Sequence, residues 1–245
     1  MDRAGKEERR EKEIEKTESG VFDKHTMLTI SKLMSDGVID HIDFPIASGK
    51  ESFVFCAKSR DGGNLAVKIY PINTSIFKNM MRYIEGDPRY EHVKKDVKDI
   101  IFTWARKEFV NLREIRKAGV RAPEPIEVRN NILVMEYIGD DDGPAPMLKD
   151  VHLDAETAET YLNTIVGYMK AMYKAKLVHG DLSEYNILVW EDEPVVIDTG
   201  QAVMLEHHAA QEMLKRDIRN IVRFFNRYDV EIKAESIEQT VKGND

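Results

Sequence analysis

The stretch Val178-His179-Gly180-Asp181-Leu182-Ser183-Glu184-Tyr185-Asn186-Ile187-Leu188-Val189 decides the fold that this sequence predicts. It starts as a polar loop and continues as a β-branched strand, and the turn 190–193 leads to a second strand that ends at Asp198. An aspartate such as Asp181 can orient a hydroxyl group and accept its proton, while Asn186 and Asp198 offer the hard oxygens that Mg²⁺ prefers. The spacing therefore predicts a nucleotide-dependent phosphotransferase site with Asp181 as its catalytic residue.

Upstream of this stretch the sequence changes to short strands separated by polar turns. Residues 46–55 form a strand, a turn and a second strand, and Leu65–Tyr70 forms a third. The turn consists of Ser48, Gly49, Lys50, Glu51 and Ser52. Its backbone N–H groups and its lysine could cover phosphates, although a turn with one glycine is a weak signal alone. We expect an antiparallel sheet that forms the upper half of a nucleotide-binding cleft.

Lys68 lies inside the third apolar run and needs a partner or a route to solvent. The pattern from Val97 to Lys117 predicts a helix, and Glu108 falls on its apolar stripe. A carboxylate on a buried face is costly unless it is paired, so we predict a Lys68–Glu108 ion pair at the α- and β-phosphates. The neighbouring Lys107 lies off the stripe and is expected to point to solvent.

The apolar segment 131–139 turns acidic at Asp140, where the hinge of a two-lobed protein is expected. Backbone groups of Glu136 and Ile138 would bond an adenine edge, with Met135 at the back of the pocket. An ordinary buried strand is the alternative.

The remaining pattern predicts an α+β, two-lobed fold. A helix begins after Asp23 and ends at Ser35, another follows Asp154, and a third covers about 211–227 with Asp217 on its inner face as a tie to the catalytic loop. Residues 71–95 lack clear periodicity and are expected to be mobile, and 231–245 are polar and expected to be peripheral. The predicted units are an N-terminal helical extension (1–42), an N-lobe (43–138) and a C-lobe (139–245).

Composition limits the class of protein. The chain has 245 residues, a formal net charge of −8 and one cysteine. The negative charge argues against a protein whose main task is to coat nucleic acid. A single cysteine excludes an internal disulfide, and we find neither a signal peptide nor an apolar run near the ~20 residues that span a bilayer. We therefore expect a cytoplasmic protein without a membrane segment.

The motifs together resemble the RIO family of atypical protein kinases, from about Asp23 to Tyr228. The motifs that carry the resemblance are Ser48-Gly49-Lys50-Glu51-Ser52, Ala66-Val67-Lys68, His179-Gly180-Asp181-Leu182-Ser183-Glu184-Tyr185-Asn186 and Ile197-Asp198-Thr199-Gly200-Gln201. The Ser-Glu-Tyr run in the catalytic loop is similar to the first, archaeal-like RIO subfamily.

This resemblance implies a protein-kinase-like fold with a truncated C-terminal lobe, since only 47 residues follow Asp198. It implies Asp181 as the catalytic aspartate, Asn186 and Asp198 as metal ligands, and Lys68 with Glu108 at the phosphates of ATP. It also implies Mg²⁺ (or Mn²⁺ in its place), a phosphoaspartate at Asp198 as a second catalytic role, and pre-small-ribosomal-subunit particles as the partner. Position 199 is threonine where ordinary kinases carry phenylalanine, so their aromatic switch is not expected.

The leading hypothesis is an autophosphorylating serine kinase, an ATPase, or both. One alternative is a small-molecule kinase of the aminoglycoside phosphotransferase type, which also uses a His-Gly-Asp loop. Another is a non-catalytic assembly factor that binds ATP to set its shape. The physiological acceptor and the oligomeric state stay open.

Overall fold

A five-stranded antiparallel sheet forms the N-terminal half of the computed structural model, which describes residues 22–94, 96–228, 230 and 232–243. Its strands are β1 (His41–Ser48), β2 (Phe53–Lys58), β3 (Asn64–Ile69), β4 (Pro125–Arg129) and β5 (Ile132–Glu136). The order across the sheet is β1-β2-β3-β5-β4. The three predicted upstream strands and their antiparallel pairing are confirmed.

Helix α1 (Lys24–Ser35) packs on this sheet. The Asp23 side chain accepts a hydrogen bond from the Thr26 N–H at 2.7 Å and so caps the helix where the sequence predicted. The buried side chains of Ile30 and Leu33 share one hydrophobic cluster with the strands. The extension therefore contributes to the core of the N-lobe. Its predicted boundaries stay a prediction, and residues 1–21 of it lie outside the described residues.

Two helices connect β3 to β4. Helix α2 (Thr74–Ile84) lies in the segment 71–95, for which the sequence predicted no regular element, and its Met80 and Ile84 side chains are buried. The amphipathic pattern of α2 is short and lies between polar segments, so the sequence did not predict this helix. Helix α3 (Val97–Lys117) packs against α2, against the sheet, and against the turn that follows Asp198.

The C-terminal half is mainly helical. Its elements are β6 (Gly139–Asp140), β7 (Gly143–Pro144), α4 (Ala155–Lys174), β8 (Leu177–Val178), β9 (Ile187–Trp190), β10 (Glu193–Val196), β11 (Val203–Met204), α5 (Ala210–Phe225) and α6 (Ala234–Lys242). Strands β9 and β10 form the predicted hairpin, and β8 pairs with β11. Asp154 caps α4 as predicted, through a 2.8 Å bond from the Thr157 N–H.

The C-terminal segment is not peripheral, contrary to the expectation from its polar composition. Helix α6 packs on α4 and α5, and its Ile237 and Val241 side chains are buried in the main hydrophobic cluster. Two apolar residues four positions apart are enough to dock one helix face, although they hardly change the composition. Within the described part of the chain, no helix is both long and apolar enough to cross a membrane.

Candidate active site

A cleft of about 480 Å³ separates the sheet from the helical half. Most of the residues predicted to bind nucleotide or metal line it, namely Ser48, Gly49, Ser52, Lys68, Met135, Glu136, Ile138, Asn186 and Asp198. Its walls are mostly apolar, as expected for a pocket that holds a planar ring and fixes it with few polar groups. The structure therefore brings these distant segments together around one cavity.

The Lys68 ammonium lies at the centre of the polar end of the cleft. Its Nζ donates to Glu108 Oε1 at 2.8 Å and to Asp198 Oδ1 at 3.0 Å. The other Glu108 oxygen accepts a hydrogen bond from the Tyr70 hydroxyl. The predicted Lys68–Glu108 pair is present, and α3 thereby holds the lysine beside the loop that follows β10.

Burial and charge act in opposite directions on these groups. Burial lowers the pKa of Lys68, but Asp198 and Glu108 outweigh it, so the pKa lies above its ordinary value. Burial raises the pKa of Glu108, and the nearby Asp198 charge adds to this, although Lys68 opposes both. Burial also opposes the ionisation of Asp198, yet the Lys68 ammonium holds its pKa below the usual range. The lysine is therefore cationic and Asp198 anionic at neutral pH.

Asp181 adjoins the cleft and is held by three neighbours. Gln201 Nε2 donates to Asp181 Oδ2 at 3.1 Å, Asn186 Nδ2 lies 3.4 Å from the same oxygen, and Arg216 Nη2 lies 3.9 Å from Oδ1. Burial raises the pKa of Asp181, the Asp198 charge adds to this, and Arg216 lowers it. A carboxylate with a raised pKa is a better proton acceptor, which suits a general base.

The loop that carries Asp181 is braced from α5, as the sequence predicted for Asp217. The Asp217 carboxylate is buried and accepts hydrogen bonds from the Gly180 N–H at 2.8 Å and from the Leu182 N–H at 3.0 Å. Gly180 has φ +80°, and a Cβ there would lie 2.9 Å from the Gln201 carbonyl oxygen, so only glycine fits. The loop is thus fixed on both sides of Asp181.

His179 braces the same loop as a neutral side chain. Its Nε2 lies 3.1 Å from the Ile197 carbonyl oxygen, and its Nδ1 accepts a bond from the Asp181 N–H at 3.3 Å. Burial lowers the pKa of His179 to about 4. His179 therefore acts as a neutral side chain that holds the backbone of the loop.

The backbone of Asp198 is left-handed, with φ 58° and ψ 63°. Such a conformation is uncommon for a residue with a side chain, and aspartate and asparagine tolerate it best. It is followed by a 3₁₀ turn, Thr199–Gln201. A Cβ at Gly200 would lie 3.0 Å from the Trp104 ring, so the turn approaches α3 as closely as a glycine allows.

The prediction that Lys107 points to solvent is wrong. Its side chain is fully buried and donates to the carbonyl oxygens of Gly200, at 2.9 Å, and of Ala202. Helix α3 is covered on two sides, because the sheet packs on one face and the turn after Asp198 on the next. The sequence argument assumed a single buried face.

The chemistry of Asn186 and Asp198 fits a magnesium ion. Asn186 directs its Nδ2 to the Asp181 carbonyl oxygen at 2.8 Å, which leaves Oδ1 as the acceptor end of the amide. The Asp198 carboxylate is half exposed at the cleft. Two protein oxygens match the small ligand share that Mg²⁺ takes from proteins when phosphates and water supply the rest. Among the described residues, no cluster of three or more His, Cys, Asp or Glu side chains forms an all-protein metal site.

The turn Ser48–Ser52 and the hinge segment agree only in part with the prediction. Lys50 is exposed and does not line the cleft, because the turn directs it outward. Glu51 does not line it either and is half-buried, and burial together with the Asp198 charge raises its pKa. At the hinge, the Glu136 carboxylate forms two hydrogen bonds with Arg121, at 2.7 and 2.9 Å. The Glu136 N–H donates to the Glu124 carbonyl oxygen at 2.8 Å, so of its backbone groups only the carbonyl oxygen could meet an adenine. The Ile138 carbonyl accepts the Ala145 N–H, so only the Ile138 N–H could meet an adenine.

Sequence reasoning missed several residues that hold the site. Lys107 and Asn111 contact the turn after Asp198, while Gln201 and Arg216 contact Asp181. The spacing Trp104, Lys107, Asn111 could have indicated a second buried face on α3, since the steps are three and four residues. No comparable signal marks Arg216.

Comparisons with known proteins agree with this geometry. A family model described as the RIO domain matches residues 53–239. The RIO-type serine/threonine-protein kinase Rio1 of Haloferax volcanii is 45% identical over 230 residues, covering 94% of this chain and 79% of that protein. The protein of the same name from Methanocaldococcus jannaschii is 42% identical over 233 residues, covering 94% and 78%. The human serine/threonine-protein kinase RIO1 is 38% identical over 215 residues, covering 86% of this chain and 38% of that protein.

A solved structure shows the fold. It is the Rio2 kinase–ADP/Mg²⁺–phosphoaspartate complex from Chaetomium thermophilum, with a TM-score of 0.66 at 21% identity, covering 88% of this chain and 66% of that one. The predicted two-lobed, kinase-like fold with a short C-terminal lobe is thereby confirmed. The family match, the Rio1 relatives and this likeness agree, and the chain belongs to the RIO family of protein kinases.

Proposed function

We propose that this chain is a Mg²⁺- and ATP-dependent serine kinase that phosphorylates its acceptor, including itself, through Asp181. The observation that carries the proposal is the position of Lys68, whose Nζ bridges Glu108 and Asp198 within 3.0 Å at the polar end of the cleft. An ammonium held in this way meets the charge of the α- and β-phosphates without reorganising.

The residues divide the work of phosphoryl transfer. Asp181 orients the acceptor hydroxyl and accepts its proton, while Gln201 and Asn186 keep the carboxylate in place. Asn186 and Asp198 hold Mg²⁺, which neutralises phosphate charge when it is bound. Ser48, Gly49 and Ser52 cover the phosphates, while the Glu136 carbonyl oxygen and the Ile138 N–H meet the adenine. Transfer of a phosphoryl group needs mainly positioning and charge neutralisation, which these groups supply.

The test is Asp181→Asn, which removes the proton acceptor with little change in shape. With labelled ATP and protein alone, we expect autophosphorylation to be lost while ATP affinity changes little. A matched control is Asp192→Asn in the β9–β10 turn, an exposed aspartate whose positive φ asparagine also tolerates. Residual turnover combined with lost ATP binding in Asp181→Asn would contradict the roles assigned here.

An ATPase that passes through a phosphoaspartate is the second candidate. The Rio2 structural neighbour is described as a phosphoaspartate complex, and the Asp198 carboxylate of this chain is half exposed in the cleft. In this reaction an Asp198 oxygen attacks the γ-phosphorus, the bond to the β–γ bridging oxygen breaks, and ADP leaves. Water then releases phosphate from the acyl phosphate. Label that is lost in base and hydroxylamine would indicate this course, whereas acid-stable label would indicate phosphoserine or phosphothreonine.

The biological setting follows from family membership alone. We propose that the protein acts on pre-small-ribosomal-subunit particles, the partner that the RIO resemblance implies, with nucleotide turnover as a timer. Co-sedimentation with such particles in the presence of ATP tests this role. Single-turnover release of phosphate separates an enzyme from a non-catalytic assembly factor, and phosphorylation of an aminoglycoside would favour the small-molecule kinase. The cytoplasmic location and the use of Mn²⁺ stay predictions.

A further inference from the structure

Two side chains of α3 hold the turn that follows Asp198 by its backbone. Lys107 Nζ donates to the Gly200 carbonyl at 2.9 Å and to the Ala202 carbonyl. Asn111 Nδ2 donates to the Thr199 carbonyl at 2.7 Å and to the Ala202 carbonyl at 3.1 Å. The carbonyl oxygens of Thr199, Gly200 and Ala202 are thus all bound to side chains of one helix.

Lys107 is an unusual choice for a packing position. Its side chain has no exposed surface, and burial lowers its pKa to about 7. Its hydrogen-bond acceptors are carbonyl oxygens, and its Nζ lies 5.5 Å from the centre of the Trp104 ring. An apolar side chain would fill this space without the cost of burying an ammonium group. What the lysine adds is the pair of bonds to the turn.

The orientation of Asn111 is fixed from the opposite side. Arg89 donates to Asn111 Oδ1 at 2.9 Å and is itself bound to the Asp87 carboxylate by two hydrogen bonds, at 2.9 and 2.6 Å. With its oxygen occupied in this way, the Asn111 amide must direct its NH₂ group at the turn. The contact is therefore built into the fold.

The same helix also controls the Asp198 side chain. Glu108 follows Lys107 directly and binds Lys68, which in turn binds Asp198 Oδ1 at 3.0 Å. Asp198 thus has its carboxylate held through Glu108 and Lys68, and the backbone after it held through Lys107 and Asn111. A residue with a left-handed backbone needs such support, because surrounding contacts must keep it in a sparsely populated conformation.

We propose that Lys107, with Asn111, is a positioning residue that presets Asp198 for the metal ion. The inference rests on the proposed magnesium site and goes beyond it by assigning the preset geometry to α3. Ordinary kinases have an aromatic side chain at the position of Thr199. In this chain, the bonds from Lys107 and Asn111 would take over the support of the turn. Groups that orient a metal ligand typically change metal affinity about 10- to 100-fold when they are removed.

The experiment measures metal and nucleotide binding separately. Mn²⁺ is titrated into the protein–ADP complex and followed by electron paramagnetic resonance, and ADP is titrated in EDTA by calorimetry. For Lys107→Met we expect Mn²⁺ affinity to fall about tenfold or more, with metal-free ADP affinity unchanged within the error. The control Leu112→Ala removes a buried side chain from the same helix and should change neither affinity.

Asn111→Ala keeps the proposal testable if Lys107→Met does not fold. It removes the two bonds from the Asn111 amide and leaves Lys107 and the Arg89–Asp87 pair in place, and it should also weaken Mn²⁺ binding selectively. Unchanged Mn²⁺ affinity in a folded variant, or an equal loss of Mn²⁺ and metal-free ADP binding, would overturn the inference. Asp198→Asn serves as reference. If Asp198→Asn bound Mn²⁺ as tightly as the wild type, the proposed metal site itself would be wrong, and the inference would fall with it.

Discussion

Replacing Lys68 by Met tests how the charges at the centre of the cleft are balanced. The Glu108 side chain is 1% exposed and that of Lys68 6%, so neither charge is solvated. Without the lysine, the Tyr70 hydroxyl is the one hydrogen-bond partner that the Glu108 carboxylate keeps among the described residues. Breaking a buried ion pair by removing one member costs about 3–5 kcal/mol, because the other charge is left uncompensated. We expect the free energy of unfolding at pH 8 to fall by about this amount.

The loss of unfolding free energy in Lys68→Met should depend on pH in a defined direction. Burial already raises the pKa of Glu108, and removal of the ammonium removes the main opposing effect. A carboxyl group whose pKa is higher in the folded state contributes stability below its unfolded pKa and loses it as the pH rises through the folded pKa. The deficit of Lys68→Met should therefore be largest at pH 8 and should shrink as the pH falls, because protonation of Glu108 removes the uncompensated charge.

A second substitution completes the test. In Lys68→Met/Glu108→Gln no buried charge remains at the pair, so most of the lost stability should return at pH 8, while kinase activity stays absent. Urea unfolding followed by circular dichroism at pH 8 and pH 5 measures all three proteins. Wild-type stability of Lys68→Met at pH 8, or a double variant no more stable than the single one, would refute the account of the ion pair.

Three further predictions concern the catalytic loop and the C-terminal helix. Arg216 lowers the pKa of Asp181, so Arg216→Met should move the acidic limb of the pH–rate profile to higher pH; an unmoved limb would argue against Asp181 as the base. His179 has a depressed pKa of about 4, so its contribution to stability is present above the unfolded pKa and lost as pH falls toward 4, by about 3 kcal/mol. The stability gap between wild type and His179→Gln should shrink accordingly between pH 7.5 and 4 in urea titrations. Ile237→Ala should destabilise the protein by about 2–5 kcal/mol, since the side chain is buried; a change within error would place α6 outside the core.

The sequence predicted the parts of the site that depend on local order. Asp181, Asn186 and Asp198 lie on one loop and one hairpin, so their convergence follows from a short stretch of chain. The Lys68–Glu108 pair could be predicted across forty residues because a buried charge requires a partner of opposite sign.

The features that the sequence did not predict depend on which helix faces are covered by other elements of the fold. Lys107 is polar, yet it is buried because α3 has a second packed face. Helices α2 and α6 escaped prediction because each docks through only a few apolar residues, such as Met80 and Ile237. Arg216 contacts Asp181 from α5, and a contact between residues so far apart in the sequence leaves no periodic pattern that could predict it.

The left-handed backbone at Asp198 determines which replacements give interpretable results. Asparagine occupies that conformation almost as readily as aspartate, so Asp198→Asn removes the negative charge and leaves the chain path intact. Alanine would add conformational strain to the loss of the ligand, and a β-branched residue would add more. An inactive Asp198→Ala protein would therefore not separate lost chemistry from a displaced turn, whereas an inactive asparagine variant would.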